Sequence, residues 1–187
     1  MATRSPIKRI RLYTDGSSIG NPGAAGIAYL ITDEAGSTLA AGREPLGTAT
    51  NNQAEYRAFL RGLEQARQLG ADEVEWFSDS ELLVKQWQGV YKIKDAGLRG
   101  LMHQARQMAQ GMQIRPHAVP RNSLPEMAQV DRWARGVALG ELDALVPALT
   151  RAATDAAPAP KSSKSKRARK RQEHEPSQLE LFQGDEW

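Results

Sequence analysis

One stretch near the amino terminus decides the fold: Arg11-Leu12-Tyr13-Thr14-Asp15-Gly16-Ser17-Ser18. Residues 7–14 alternate in the manner of a strand, and this predicts a β-strand that ends at Asp15. Two further strand patterns, at residues 25–31 and 38–44, follow turn signals. We therefore expect three antiparallel strands at the start of the domain.

The elements that follow mix helices and strands. Hydrophobic periodicity predicts a helix at about 52–69, a strand at 73–77, helices at about 80–88 and 97–110, a last strand at 112–116 and a helix at about 126–140. The last strand contains Pro116, which favours an edge position. Because a helix connects the first strand group to the strand at 73–77, this strand should pair in parallel with the first strand.

Four carboxylates stand at positions where folded proteins seldom place them: Asp15, Glu55, Asp79 and Asp131. Asp15 and Asp79 end predicted parallel strands, whose carboxyl ends meet at one sheet edge. Glu55 begins the connecting helix, and Asp131, the most conspicuous of the four, shares the apolar stripe of the last helix. Clustered carboxylate oxygens suit Mg²⁺ or Mn²⁺, and two such ions can promote phosphodiester cleavage. The pattern indicates a metal-dependent enzyme.

Each carboxylate also has a local interpretation. Asp15 precedes Gly16 and could be a turn residue. Glu55 could close a capping box that starts at Asn52. Asp79 could cap the following helix, a role for which Ser78 competes. A buried arginine could pair with Asp131.

Three sequence motifs resemble those of the type 1 ribonuclease H family. They are Thr14–Gly23, Thr50–Tyr56 and Ser78–Ser80 with Leu83-Val84, within a similarity that covers residues 7–141. The resemblance implies a three-layer α/β fold of the ribonuclease H type, with a mixed five-stranded sheet and helices on both faces. It also implies cleavage of the RNA strand of RNA–DNA hybrids by two Mg²⁺ ions, with Mn²⁺ as the alternative, leaving 5′-phosphate and 3′-hydroxyl ends. Asp15, Glu55, Asp79 and Asp131 would be the catalytic metal ligands.

The same resemblance identifies candidate substrate contacts. Asn21, Asn51 and Asn52 match positions that contact the minor groove and ribose 2′-hydroxyls, and Thr50 matches a contact to a DNA phosphate. Ser80 is a further candidate. An asparagine side chain both donates and accepts, and the 2′-hydroxyl distinguishes RNA from DNA. The alternative for this stretch is turn formation and helix capping.

The chain departs from the family pattern in two places. The spacing from His117 to Asp131 is longer than usual, and Met127 replaces a common asparagine, so His117 is a candidate for product release or proton transfer only if a loop brings it close. The basic handle of some members is absent. We expect Lys85, Lys92 and Lys94 to hold the substrate instead, with Tyr91 or Trp87 as stacking aromatics, unless Trp87 belongs to the core.

The composition changes after the predicted catalytic domain, residues 1–145. Residues 146–187 are expected to form a flexible tail, in which 161–171 carries seven cations and no acid. This run either attracts phosphates or only increases solubility. The peptide 178–182 resembles those that bind the bacterial sliding clamp, and it implies contacts by Gln178, Leu179, Leu181 and Phe182 and a role in DNA replication and repair.

Composition excludes several classes of protein. The sequence has no cysteine, which excludes disulfides, zinc–thiolate sites and cysteine nucleophiles. It has no run of about 18 apolar residues that would predict a membrane span, so we expect a cytoplasmic monomer with no membrane partner. Two alternatives to a hybrid-specific ribonuclease remain: a nuclease or transferase of this fold that acts on DNA, including a 3′–5′ exonuclease, and a non-catalytic hybrid-binding or clamp-associated adaptor. The asparagines argue against the first alternative, and the four acids argue against the second.

Overall fold

The computed structural model describes residues 8–141. In chain order, its elements are β1 (Arg9–Gly20), β2 (Gly23–Thr32), β3 (Thr38–Ala49), α1 (Asn51–Gln68), β4 (Glu73–Ser78), α2 (Glu81–Trp87), α3 (Ala96–Met108), β5 (Gln113–Ala118) and α4 (Pro125–Ala138). The predicted domain boundary after residue 145, the basic run and the peptide 178–182 lie outside the described residues. None of the helices in residues 8–141 has both the length and the apolar character needed to cross a membrane.

The sheet has five strands in the order β3-β2-β1-β4-β5. β1 pairs antiparallel with β2, and β2 pairs antiparallel with β3. β4 pairs in parallel with both β1 and β5. The α/β fold with a mixed five-stranded sheet is therefore confirmed, and β5 with Pro116 lies at the predicted edge.

β1 is longer than the sequence pattern predicts. It continues past Asp15 to Gly20 because β2 supplies an antiparallel partner along this whole length, with Asp15 opposite Ala28. The parallel pairing with β4 stops at Tyr13 and Phe77. The prediction that the strand ends at Asp15 is wrong. Asp15 nevertheless lies just beyond the last parallel pair, so its position relative to β4 is as expected.

Helices cover both faces of the sheet. On one face, α1 to α3 enclose an aromatic cluster in which Phe59 stacks on Trp76 with ring centroids 3.6 Å apart and Trp87 packs edge-on. Trp87 is thus a core residue, and the alternative of a stacking surface is wrong for it. On the other face, α4 packs against β1 and β2 through Met127, Val130 and Trp133.

The position of α4, which carries Asp131, depends on a glycine in β2. A Cβ atom added to Gly26 would lie 2.5 Å from the carbonyl oxygen of Ala134. The strand and the helix backbone therefore approach more closely than any other residue would allow. This contact fixes the height of α4 above the sheet.

Candidate active site

Three of the predicted carboxylates meet at one point. Asp15 of β1, Glu55 of α1 and Asp79 of the β4–α2 connection each offer one oxygen, and these oxygens all lie within 4.8 Å of one another. Asp15 and Glu55 are buried, with exposed fractions of 0% and 5%. Within the described part of the chain, neither oxygen of Asp15 nor Oε2 of Glu55 has a hydrogen-bond partner. Buried anionic oxygens without donors are costly, and this donor set fits a hard divalent cation.

Gly16 brings Asp15 and Glu55 together. A Cβ atom at Gly16 would lie 2.2 Å from the carbonyl carbon of Ala54. The start of α1 therefore lies directly on β1, where only glycine leaves room. The backbone of Gly16 also interacts favourably with the Glu55 carboxylate.

The electrostatics of the cluster oppose ionisation. Burial, followed by the charges of Asp79 and Asp131, raises the pKa of Asp15 to about 8. Burial, followed by the charges of Asp15 and Asp79, raises the pKa of Glu55 well above its ordinary value. A divalent cation would reverse both effects because it favours the ionised forms.

The local interpretations of Glu55 and Asp79 are wrong. Thr50 is the N-cap of α1, and Gln53, not Glu55, completes its capping box. Ser80, rather than Asp79 or Ser78, is the N-cap of α2, with its side chain accepting from the backbone of Leu83. Neither carboxylate serves a helix end, so local structure does not explain why they are there.

Asp131 does not belong to the group of three carboxylates whose oxygens lie within 4.8 Å of one another, and it is less buried than expected. Its side chain is 23% exposed, and Asp131 sits at the edge of the apolar stripe of α4. Its charge acts on Asp15. An arginine does pair with Asp131, but it is not a buried one: Asp131 accepts a hydrogen bond from Nη2 of Arg121, whose side chain is 60% exposed.

Arg121 is the residue that sequence reasoning missed. Its Nε lies 3.5 Å from Oδ2 of Asp79, and its Nη2 contacts Oδ1 of Asp131, so one guanidinium joins two of the four carboxylates. The available signal was a cation in the connection that leads to Asp131. Without the path of that loop, nothing distinguished it from other surface arginines.

His117 belongs to a stack of rings on the sheet. β5 extends to Ala118, so His117 is a strand residue rather than part of a mobile loop. Its ring stacks on Phe77 at 4.7 Å, and Phe77 stacks on Tyr13 at 5.0 Å. The group of three residues that could hold a metal among residues 8–141 includes neither His117 nor Asp131, but Asp131 is linked to Asp79 through Arg121. The structure thus places Arg121, and not His117, against Asp79 and Asp131.

Three of the five predicted substrate contacts line one groove, and Asn51 and Ser80 are not in its lining. Asn21, Thr50 and Asn52 line a groove of about 270 Å³ together with Asp95. Two of them also support the fold, since Oδ1 of Asn21 accepts from the backbone N–H of Asn51 at 3.2 Å and Thr50 caps α1. The capping alternative is therefore correct for Thr50, and Asn52 remains exposed.

A second groove of about 470 Å³ continues from Asn52 between α2 and α3. Lys92, Lys94 and the half-exposed ring of Tyr91 line it. Lys85 lies outside this lining, where its Nζ forms an ion pair with Glu81 and lies 3.3 Å from the hydroxyl of Tyr91. The cations that remain available to a ligand in this groove are Lys92 and Lys94.

Comparisons with known proteins agree with this arrangement. Residues 13–123 match the family model described as reverse transcriptase-like. Ribonuclease HI of Halobacterium salinarum is 40% identical over 103 residues, which cover 55% of this chain and 52% of that relative. The chain spans about half the length, or less, of the curated relatives that it matches.

Solved structures match over nearly their whole length. The N-terminal RNase H domain of Rv2228c from Mycobacterium tuberculosis, solved as a fusion with maltose binding protein, is 34% identical with a TM-score of 0.68, and the match covers 72% of this chain and 96% of that one. LC11-RNase H1 in complex with an RNA/DNA hybrid is 38% identical with a TM-score of 0.62, covering 67% and 94%.

Proposed function

The chain belongs to the reverse transcriptase-like family and, within it, to the type 1 ribonucleases H, and from this premise we propose that it is a metal-dependent endonuclease. It would hydrolyse the RNA strand of RNA–DNA hybrids and leave 5′-phosphate and 3′-hydroxyl ends. The observation that carries the proposal is the set of buried oxygens on Asp15 and Glu55, which lie close to Asp79 and have no hydrogen-bond partner among residues 8–141.

Asp15, Glu55, Asp79 and Asp131 would hold two divalent ions, which we propose to be Mg²⁺, with Mn²⁺ as the alternative. When bound, such ions activate a water molecule and stabilise the charge on the leaving oxygen. The chain's own residues hold the carboxylates in place. Asp15 pairs with Ala28 of β2, and β4 flanks β1 on the other side as far as Tyr13. Glu55 is held by the contact of α1 with Gly16. This rigidity supports catalysis because little reorganisation is needed when the substrate binds.

We propose that the two grooves divide the hybrid between them. Asn21, Asn51 and Asn52 would contact the minor groove and the 2′-hydroxyls of the RNA strand, and Thr50 would contact a DNA phosphate. The groove lined by Lys92, Lys94 and Tyr91 would take the DNA strand and replace the missing basic handle. The position of Asn52 in the lining of both grooves supports this division. Ser80 supports the start of α2 with its hydroxyl, which accepts from Leu83, and its backbone N–H donates to Oγ of Ser78, so its contact with the substrate stays a prediction.

The tail extends the proposal beyond residues 8–141. The basic run 161–171 would attract the phosphates of the substrate, and residues 178–182 would bind the sliding clamp and bring the enzyme to sites of DNA replication and repair. Tethering of this kind raises the local concentration without new catalytic contacts. The cytoplasmic location and the monomeric state stay proposals, which cell fractionation and size-exclusion chromatography would test.

One experiment tests the activity. The purified protein is incubated with labelled RNA–DNA hybrid, double-stranded RNA and double-stranded DNA, with and without Mg²⁺. We expect the protein to cleave the hybrid only when Mg²⁺ is present. The Asp15→Asn and Asp79→Asn variants should lose this cleavage. Asp33→Asn, in the β2–β3 turn, is the matched control and should keep full activity. Full activity of Asp79→Asn would refute the metal-dependent proposal, and equal cleavage of a DNA duplex would favour a DNA nuclease.

A further inference from the structure

The carboxylate cluster already contains one cation, the guanidinium of Arg121. Its Nε lies 3.5 Å from Oδ2 of Asp79, and its Nη2 contacts Oδ1 of Asp131. Its charge also acts favourably on Asp15 and Glu55. Arg121 therefore brings a positive charge to the same two carboxylates, Asp79 and Asp131, that a metal ion on this side would contact.

We infer that Arg121 is a built-in competitor of the divalent cation, which pairs Asp79 with Asp131 in the metal-free protein and must leave them when a metal ion binds there. This inference rests on the proposed function, because it concerns the same metal site. It adds a residue that sets the metal affinity of that site.

The two sides of the cluster differ in whether their oxygens already have a partner. The oxygens of Asp15 and Oε2 of Glu55 have no partner among the described residues, so they are free to coordinate an ion. On the other side, the guanidinium contacts one oxygen of Asp131, Oδ1, and one of Asp79, Oδ2, although Asp79 also offers an oxygen to the group with Asp15 and Glu55. A divalent cation and a guanidinium within a few ångströms repel each other, so both cannot share these oxygens without a cost. Metal binding should be stronger on the Asp15–Glu55 side than on the Asp79–Asp131 side.

Arg121 is placed so that it can leave. It lies in the connection between β5 and α4, and its side chain is 60% exposed. Its guanidinium reaches the surface, where ion pairs contribute little to stability. A divalent ion can therefore displace the guanidinium at a small cost in free energy. Arg121 weakens metal binding without preventing it.

The test compares metal binding in Arg121→Gln, Arg121→Lys and Arg132→Gln. Arg132 follows Asp131 and is exposed, and it has no ion pair with a carboxylate within residues 8–141, so Arg132→Gln controls for the change in net charge. Binding of Mn²⁺ is followed through the electron paramagnetic resonance signal of the free ion. Of the two Mn²⁺ ions, the more weakly bound one should bind more tightly to Arg121→Gln than to wild type. We expect its dissociation constant to fall about three- to tenfold, the size expected for the loss of one or two exposed ion pairs.

A second readout separates this role from a merely structural one. In EDTA, Arg121→Gln should unfold at a lower temperature than wild type, because Asp79 and Asp131 lose their partner, whereas saturating Mn²⁺ should narrow or reverse the difference. Arg121→Lys and Arg132→Gln should stay near wild type in both measurements.

The possible outcomes separate a failure of the competition by Arg121 from a failure of the proposed metal site. Equal or weaker Mn²⁺ binding by Arg121→Gln, with wild type binding the ion, would overturn the competition and leave the proposed function standing. Absence of Mn²⁺ binding in every protein would overturn the metal site and the competition together. Tighter binding in Arg121→Gln and not in Arg132→Gln would support the inference.

Discussion

Gly16 and Glu55 are in direct backbone contact, so that a Cβ atom added to Gly16 would lie 2.3 Å from the amide nitrogen of Glu55. No rotation of a side chain relieves such a contact, because both partners are backbone. The close approach of β1 to the start of α1, which carries Glu55, therefore requires a residue without a Cβ atom at position 16.

Gly16→Ala should accordingly damage both stability and activity. We expect a loss of about 1–3 kcal/mol in the free energy of unfolding, the usual cost of overpacking, and a drop in cleavage of at least tenfold. Urea unfolding and hybrid cleavage measure the two effects. Gly100→Ala is the control, since a Cβ atom there meets nothing within 4 Å on α3. Wild-type behaviour of Gly16→Ala would contradict the close contact.

The metal-free protein should lose stability as the pH rises from about 4 to about 8. Burial, followed by the charges of Asp79 and Asp131, raises the pKa of Asp15 to about 8, while the unfolded chain titrates near its ordinary value of about 4. Between these values the folded state holds a proton that the unfolded state releases, so unfolding is favoured with increasing pH. Thermal unfolding in EDTA across this range should show a shallower pH dependence for Asp15→Asn. An identical dependence in both proteins would refute the prediction.

Thr50 should contribute to stability as well as to substrate binding. It caps α1, so Thr50→Ala should cost about 1 kcal/mol in the free energy of unfolding, and Thr50→Ser should retain most of it. Asn52 is exposed and caps nothing. Asn52→Ala should therefore raise KM for the hybrid severalfold with unchanged stability. Denaturant unfolding and steady-state kinetics separate the two roles, and a stability loss in Asn52→Ala would argue against this division.

His117 should matter for packing more than for catalysis. His117→Ala removes one ring from the stack with Phe77 and Tyr13, which should cost about 0.5–1.5 kcal/mol in stability. We expect kcat to stay within about threefold of wild type. His117→Phe should restore the stability. A hundredfold loss of kcat in both variants would return His117 to the catalytic candidates.

The tail predictions concern sequence outside the described residues. Replacing the seven cations of 161–171 by glutamine should weaken hybrid binding at low salt and reduce its dependence on salt.

Leu181→Ala with Phe182→Ala should abolish capture of the protein by immobilised sliding clamp, with hybrid cleavage unchanged. Unaltered capture, or none by wild type, would refute the clamp peptide.

The elements themselves were predictable from local sequence. Periods of two and 3.6 residues, turn residues and the crossover rule are properties of neighbouring residues, so they predicted the order of strands and helices and the parallel pairing of β1 with β4. The residues around Asp15, Glu55 and Asp79 also identified the family, since each motif is a continuous stretch. The length of β1 was missed because its continuation depends on pairing with β2, which the local pattern does not contain.

The relative burial of the carboxylates was decided by tertiary structure alone. Asp131 looked the most buried of the four from its helical stripe, yet it is partly exposed, whereas Asp15 and Glu55, which have plausible local roles, are the buried ones. A stripe gives the direction of a side chain on one helix but not where the neighbouring loop runs. The contacts of Arg121 with Asp79 and Asp131 could not be predicted for the same reason. Arg121 lies between β5 and α4, Asp79 follows β4 and Asp131 lies in α4, so the three residues meet only after these elements have packed. The sequence by itself predicted four acids for the site, three of which come together in the fold, and the packed structure determined which cation lies between Asp79 and Asp131.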